Sequence, residues 1–517
     1  MSSNRLRLRR EVQIVVDYDD QTEFGSPVNN GKRAESWVAE LYSPVTEFAR
    51  ARGFAELHKR APELLTEIVR GAEFSRIADR DETGAWRLKP SVLFPDVTLA
   101  APQTITLLSQ ESGHLVRARL PEGHWPLVHE MIARLATRKG LEPTATTLGP
   151  DLQAMAAALA REGLTEHVND RSEIDPTLDD ADFTFVGHNT VVVRSPTTRV
   201  IIDPLLFTGG STFPESYQPL QLRDLEPIDA VLITHSHPDH FDPASLLQLS
   251  PQTRVIVPWL EQENLLSIAM GRRLRELGFT NVSLMSWGDS TVVGDIEVHA
   301  LPLYGEQPTD GDVLHPDVRN VGNTYLLRTP TFSAVFLADS GRDMQGDVKN
   351  LASRTRARLG TVDVIFTGYR GWHTYPVQLL FSPVARYLLF VPPWLWNSRL
   401  QLMTTIEEAV DVAERWGARI LVPYADGGAP WHWDAGLGPN LCDPATEVPW
   451  LDPFPQRVVA AAEHRIKMPD TSSISSPVRV LLLHPGESIT DTKGDPTKLR
   501  ISRCLWPYEE PDLQPVV

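Results

Sequence analysis

The stretch Val231-Leu232-Ile233-Thr234-His235-Ser236-His237-Pro238-Asp239-His240 puts three histidines and an aspartate into six positions directly after an apolar run. Ile228 to Ile233 reads as a strand, and the polar cluster falls on the loop at its end. Alternate residues of an extended segment project to the same side, so His235 and His237 can grip one cation. Pro238 bends the chain, which lets Asp239 and His240 face a neighbouring cation. The competing reading is a polar turn with chance histidines, and the density of donors at a strand end weighs against it. Any fold adopted by this chain has to bring imidazoles and carboxylates together at that strand end.

The sequence on either side differs in kind. From Asp182 onward short β-rich runs dominate: FTFVGH, TVVVRS, RVIIDP, AVLITHS, RVIVP, VSLMSW, EVHALPLY, NTYLLR and FSAVFLADS. Helical spacing appears between some of them, over Asn264 to Leu277 and again over Thr405 to Trp416, which precedes a further strand, RILVPY. Strands paired by short turns and then alternating with helices indicate a layered α/β or α+β domain. Before this region, Glu35 to Phe54, Glu56 to Ala72, Trp125 to Lys139 and Asp151 to Glu162 have apolar residues at helical spacing. That part contains no chemical motif; His114, His124 and His129 are scattered, as surface or core histidines usually are. The acidic stretch from Asn169 to Asp182 reads as a linker, so the expected division is 1–178 and 179–517. Beyond Pro469 the composition of Pro, Ser and charge predicts a tail wrapped over the surface.

Two domains are also what 517 residues require, since one core rarely serves so long a chain. A formal net charge of -18 argues against a nucleic-acid partner, which needs a basic surface. Cys442 and Cys504 are the two cysteines, too few for a disulfide framework and not at metal-binding spacing. The basic start MSSNRLRLRREVQIVV lacks the apolar core of a signal peptide. The lipophilic stretch Tyr387 to Trp396 is broken by Pro392 and Pro393 and is too short to span a bilayer. The expectation is a cytoplasmic protein with no membrane partner.

The motif His235, His237, Asp239, His240 resembles the HxHxDH signature of the metallo-β-lactamase superfamily. The resemblance covers about residues 180 to 450. It implies an α+β fold, a metallo-β-lactamase αββα sandwich, here with an additional N-terminal α+β domain. FVGHNTVVV and IIDP are similar to the opening strands of that fold, with His188 and Asp203 expected in supporting, structural roles. VFLADS places Asp339 where the superfamily keeps a bridging aspartate.

Two positions depart from the zinc hydrolases of the superfamily. In ALPLYGEQ, Glu306 stands where a histidine is expected, and in ILVPYADGG, Tyr424 and Asp426 do. His432 is nearby but out of register. The resulting set is three imidazoles (His235, His237, His240) and three carboxylates (Asp239, Glu306, Asp339). Carboxylate oxygens are harder donors than imidazole, so this mixture favours iron or manganese more than an all-histidine zinc site does.

LPLYGE, FLADS, IFTGYRGWHTYP and SRLQLM together resemble the diiron β-hydroxylases typified by chloramphenicol biosynthesis. That resemblance implies a non-haem diiron monooxygenase holding two Fe ions. It further implies an amino-acyl substrate on a carrier protein in antibiotic biosynthesis, an external electron donor, and an N-terminal domain linked to dimerisation, so a homodimer is one expected arrangement. His235, His237 and Glu306 would hold one iron, Asp239 and His240 the other, and Asp339 would bridge. Arg370 stands where such enzymes tend to have an acid, and the insertion QPTDGDVLHPDVRN separates Glu306 from the next strand. Arg370, His373 and Trp394 are candidate substrate-binding residues, with surface ion pairs and core packing as their ordinary alternatives. Tyr304, Tyr369, Trp372 and Trp396 are further candidates for a cavity lining. The alternative function is a hydrolase with two Zn ions acting on phosphodiester, lactone or thioester bonds of a small-molecule substrate, with His373 or His432 replacing a missing ligand. A metal-poor scaffold is a third reading, disfavoured because buried carboxylates and histidines are costly without a cation.

Overall fold

The computed structural model describes residues 5–17, 104–121, 123–142, 149–168, 181–206, 219–237, 239–264, 266–305, 317–370, 402–425, 454–467 and 478–490, with short pieces at 78–80, 82, 86–88, 90, 94, 307, 309–310, 313–314, 492 and 500–502. Among them two large sheets face each other. The first has eight strands, in the order Val282–Met285, Arg254–Pro258, Ala230–Leu232, Arg199–Ile202, Thr190–Arg194, Phe183–Gly187, Ser488–Thr490 and Arg500–Ser502. The second has seven: Ser290–Val293, Ile296–Pro302, Asn323–Arg328, Ser333–Phe336, Val364–Thr367, Ile420–Pro423 and Arg479–Val480.

The apolar runs in these strands are continuous rather than alternating because both faces of each sheet are covered. Phe183, Val191, Val193, Ile202 and Leu232 of the first sheet meet Val298, Leu327, Phe336, Phe366 and Val422 of the second in one core. On the outer face of the second sheet, Leu326, Ile365 and Leu421 pack under helices Val348–Leu359, Ile406–Trp416 and Gln456–Lys467. On the outer face of the first, Ile201, Val231 and Val255 pack against Leu225, Leu246 and Leu274. Four layers result, helix, sheet, sheet, helix: the α+β sandwich that the sequence implied.

Local chemistry explains where elements begin and end. Helix Ile406–Trp416 starts at Thr405, whose hydroxyl accepts from the Glu408 N–H while Glu408 reaches back to the Thr405 N–H; it ends at Gly417 in the left-handed region (φ 67°). The helix expected over Asn264 to Leu277 is shorter, Met270–Glu276. Asn264 Oδ1 accepts from the N–H groups of Leu266 and Ser267, and Glu263 accepts from Ala269 N, so side chains satisfy those amides in place of a helical ladder.

The tail departs from expectation. Arg479–Val480 pairs in parallel with Ile420–Leu421, and Ser488–Thr490 pairs antiparallel with Phe183–Thr184, so the segment completes both sheets instead of wrapping them. Overall polarity masked the run VRVLLLH, whose Leu481 and Leu483 are buried in the central core.

Ahead of the sandwich, strands Val12–Asp17, Thr104–Ser109 and Leu115–Arg119 form an antiparallel sheet, and helices Trp125–Ala136 and Pro150–Arg161 bury their apolar stripes with it. The helices expected over Glu35 to Phe54 and Glu56 to Ala72 lie outside the described residues, as does most of the expected linker. The N-terminal core runs into the sandwich: Leu247 and Leu277 belong to it. Gly278 (φ 104°) lies so close to Pro126 that a Cβ there would sit 2.6 Å from its Cα. Between the two, His129 places Nδ1 3.1 Å from the Leu277 carbonyl oxygen and Nε2 2.9 Å from that of Leu249. Arg10 pairs with Asp224 through two contacts, at 2.9 and 2.6 Å.

Candidate metal centre

Residues 233–237 and 239–240 follow strand Ala230–Leu232 at the edge of the central core, and the second sheet holds that exit from above. Tyr325 Oη donates to the Ile233 carbonyl (2.9 Å), and Asn323 N donates to that of Thr234 (2.8 Å). Asp203, just past strand Arg199–Ile202, accepts from Thr234 N (2.7 Å) and from the Thr234 hydroxyl (2.6 Å). Because that hydroxyl gives its proton to Asp203, it accepts from His235 Nδ1, 3.0 Å away. His240 Nδ1 lies 2.8 Å from Asp203 Oδ2 and donates to it. Both rings are thereby held through Nδ1, which leaves Nε2 as the atom that a metal would take.

The two Nε2 atoms point at carboxylates. His240 Nε2 is 3.4 Å from Asp339 Oδ2 and 3.5 Å from Asp239 Oδ2, and His235 Nε2 is 3.8 Å from Asp339 Oδ2. Asp339 arrives from the second sheet, after strand Ser333–Phe336. Two groups have ligand atoms all within 4.8 Å of one another: His235, His240 and Asp339, and His188, Asp239 and His240. His188 comes from the turn between Phe183–Gly187 and Thr190–Arg194, and its Nε2 is 2.9 Å from Asp239 Oδ2. His237 packs edge-on against His235, with ring centroids 4.5 Å apart, and its Nε2 is 3.3 Å from Asn320 Nδ2.

Backbone strain collects here. The four non-glycine residues with positive φ among the described residues are His188 (51°), Asp203 (41°), Ala338 (47°) and Ala425 (63°). Each lies at a strand end beside the cluster, where such conformations often mark function. They brace one another: Ala425 N donates to the His188 carbonyl (2.8 Å), and Ala338 N donates to Tyr424 Oη (2.9 Å). Tyr424, at the place of an expected histidine, thus fixes the residue next to Asp339.

The electrostatics suit a cation. Burial, with His240 and His237 beside it, pushes the His235 imidazole well below its usual value. Burial acts against charge on His240 also, but Asp239, Asp203 and Asp339 outweigh it and raise that imidazole well above its usual value. Burial would raise Asp339; His240, with a contribution from the nearly buried Arg370, holds it below the usual carboxylate range instead. The decisive fit is at the two imidazoles: His235 Nε2 and His240 Nε2 are buried and have no hydrogen-bond partner among the described residues. Buried ring nitrogens left without a hydrogen-bond partner beside carboxylates are costly in a finished interior, and a divalent ion would satisfy them.

The structure thus gathers His235, His237, Asp239, His240 and Asp339, with Arg370 at their edge. Glu306, His373 and Trp394 lie outside the described residues, as do Trp372, Trp396, Asp426 and His432. Tyr304 and Tyr369 are buried among the apolar residues of the second sheet's outer layer. Sequence reasoning placed Asp203 in a supporting role, as observed, but missed Thr234, whose only signal was its place before the first histidine. It also missed Asn320, which the insertion hid.

This architecture is the metallo-β-lactamase fold, and residues 198–424 match the family model of the beta-lactamase superfamily domain. That stretch, somewhat under half of the chain, is similar to the superfamily. The chain is 32% identical over 190 residues to the 4-amino-L-phenylalanyl-[CmlP-peptidyl-carrier-protein] 3-hydroxylase of Streptomyces venezuelae, a match covering 36% of this chain and 33% of the relative. A UPF0173 metal-dependent hydrolase of Koribacter versatilis is 33% identical over 134 residues, 25% of this chain and 50% of that one. Among solved structures, CmlA, a diiron beta-hydroxylase from Streptomyces venezuelae, superposes with a TM-score of 0.60 at 18% identity, covering 97% of this chain and 99% of that one. The sequence match spans about a third of the hydroxylase's length, while the shared fold runs through almost all of both chains.

Proposed function

We propose that this chain is a non-haem diiron monooxygenase that hydroxylates an amino-acyl group tethered to a carrier protein, in the cytoplasm and in natural-product biosynthesis. The observation that carries the reading is the cluster itself: two buried imidazoles with unclaimed Nε2 atoms converge on Asp339, which reaches them from the opposite sheet. His235, His237 and Glu306 would hold one iron, Asp239 and His240 the second, and Asp339 both. Two irons, when bound, supply the oxidation of a C–H bond by dioxygen. The reaction consumes one O2, two protons and two electrons from an external donor, places one oxygen atom on the substrate and releases the other as water.

The chain's own contribution is positional. Asp203 and Thr234 orient the His235 and His240 rings, Tyr424 fixes the backbone before Asp339, and His235, His240 and Asp339 are themselves buried. Arg370 would neutralise an anionic substrate group near Asp339, with His373 and Trp394 lining the approach. Residues 1–178 would form a separate domain that supplies contacts and a dimer interface instead of ligands. No helix among the described residues is long and apolar enough to cross a membrane.

Likeness to a metal-dependent hydrolase supports a second reading, a dizinc hydrolase of phosphodiester, lactone or thioester bonds. Elemental analysis with the ultraviolet-visible spectrum separates the two. Close to two irons per chain, with oxo-to-iron charge-transfer bands, is the expected result; stoichiometric zinc supporting turnover would overturn the oxygenase reading.

A further inference from the structure

Asn320 is a buried carboxamide at the edge of the cluster, delivered by the far end of the insertion that follows Glu306. Its surroundings are built tightly. Ser267 Oγ donates to the Arg319 carbonyl (3.1 Å) and accepts from Val321 N (2.6 Å), clamping the backbone on both sides of it. The Arg319 guanidinium lies 5.1 Å over the Trp287 ring and donates to the Leu303 carbonyl (3.1 Å) and to Asp343. At Gly322 a Cβ would stand 2.7 Å from the Thr234 carbonyl oxygen and 2.9 Å from His235 Cβ, so only glycine lets this segment press on the histidine loop. Asn320 cannot withdraw without moving that whole contact.

Its Nδ2 lies 3.3 Å from His237 Nε2. An amide N–H facing a ring nitrogen requires a lone pair there, so the contact holds His237 with its proton on Nδ1. That is the tautomer a metal requires, yet amide and metal would use the same lone pair. Once the lone pair is given to a cation, an N–H aimed at that spot is repelled. A carboxamide resolves this by a half-turn about its last torsion, which exchanges nitrogen for oxygen at nearly unchanged positions. An amide oxygen is a neutral, hard donor of the kind that iron accepts beside carboxylate.

Resting on the dimetal reading above, we propose that Asn320 belongs to the centre: it sets the His237 tautomer in the metal-free chain and supplies its carboxamide oxygen to the cation held by His235 and His237. The test uses the full chain, stripped by chelator and titrated with Co(II), whose visible absorption strengthens as coordination number falls. Wild type is expected to bind two Co(II) ions, with weak absorption at the His235/His237 site. Asn320→Leu, which removes the donor and excludes a replacement water, should weaken one of the two ions about tenfold to a hundredfold and intensify its absorption. Asn320→Asp keeps the shape, removes the amide N–H and adds a charged oxygen, so it should bind that ion at least about tenfold more tightly. If Asn320 only donates a hydrogen bond, Asn320→Asp will bind more weakly than wild type, and the proposal falls. It falls equally if both variants match wild type in affinity and spectrum. Wild type that binds no pair of Co(II) ions would overturn the dimetal reading, and this one with it.

Discussion

Asp203 is in neither of the two groups whose ligand atoms come together, yet three of its contacts decide how two imidazoles present themselves. It is fully buried, and burial raises its carboxyl above the ordinary range, opposed by His240 and Thr234. Replacing it by Asn keeps the shape but allows the amide to donate where only acceptance serves. Asp203→Asn is expected to lower metal affinity about tenfold to a hundredfold with the fold intact, read as metal per chain after dialysis against a graded chelator. Wild-type retention would show that Thr234 alone fixes the rings. At this scale the sequence was informative about donors and poor about their supports. Six positions announced His235, His237, Asp239 and His240, because ligand chemistry restricts residue type. Thr234, Tyr424 and Asn320 act through ordinary hydrogen bonds, and a threonine, tyrosine or asparagine makes such bonds almost anywhere.

Among elements, the helix Trp125–Ala136 has the feature that sequence could not show. His129 sits on its buried stripe with both ring nitrogens against carbonyl oxygens, and a neutral imidazole can donate to only one of them. Burial pulls this imidazole down to about 4, against the two carbonyls and Glu130, which pull upward. The sign follows directly. Between about 4 and the ordinary value of 6.5 the unfolded chain binds the proton and the folded chain does not, so stability is present above that window and is lost as pH falls through it. The loss approaches about 1.4 kcal/mol per pH unit from this residue. Denaturant unfolding from pH 7 to 4.5 should show a slope that His129→Gln flattens; parallel slopes would contradict the assignment. Helix Ile406–Trp416, in contrast, was readable to within a residue, since its capping box and terminal glycine are local. The strands of the two sheets were readable for a related reason: burial on both faces leaves continuous apolar runs. The tail strands were not, because four or five apolar residues inside a polar segment make too weak a pattern.

For the molecule as a whole, the N-terminal region and the sandwich share apolar surface and ion pairs instead of hanging on a tether. A chain beginning near Asp180 would uncover Leu247 and Leu277 and leave Asp224 without Arg10. It should keep wild-type metal content per folded chain while its thermal midpoint and soluble yield fall; loss of one metal equivalent would place a ligand in the missing region. Chain-order patterns suggested the two parts, but nothing in them foretold how closely the parts are joined, because contacts between distant segments leave no local periodicity.

Asp339 and the histidine loop belong to opposite sheets. Any ion gripping both is a rivet through the sandwich, and unfolding must pull it out. Metal occupancy then adds to the work of denaturation, about 2.7 kcal/mol when free metal stands at a hundred times its dissociation constant. Chelator should lower the melting temperature and speed proteolysis of wild type, and do neither in Asp339→Ala. Supply of the metal would then govern how long each copy of this chain survives, and not only whether it works.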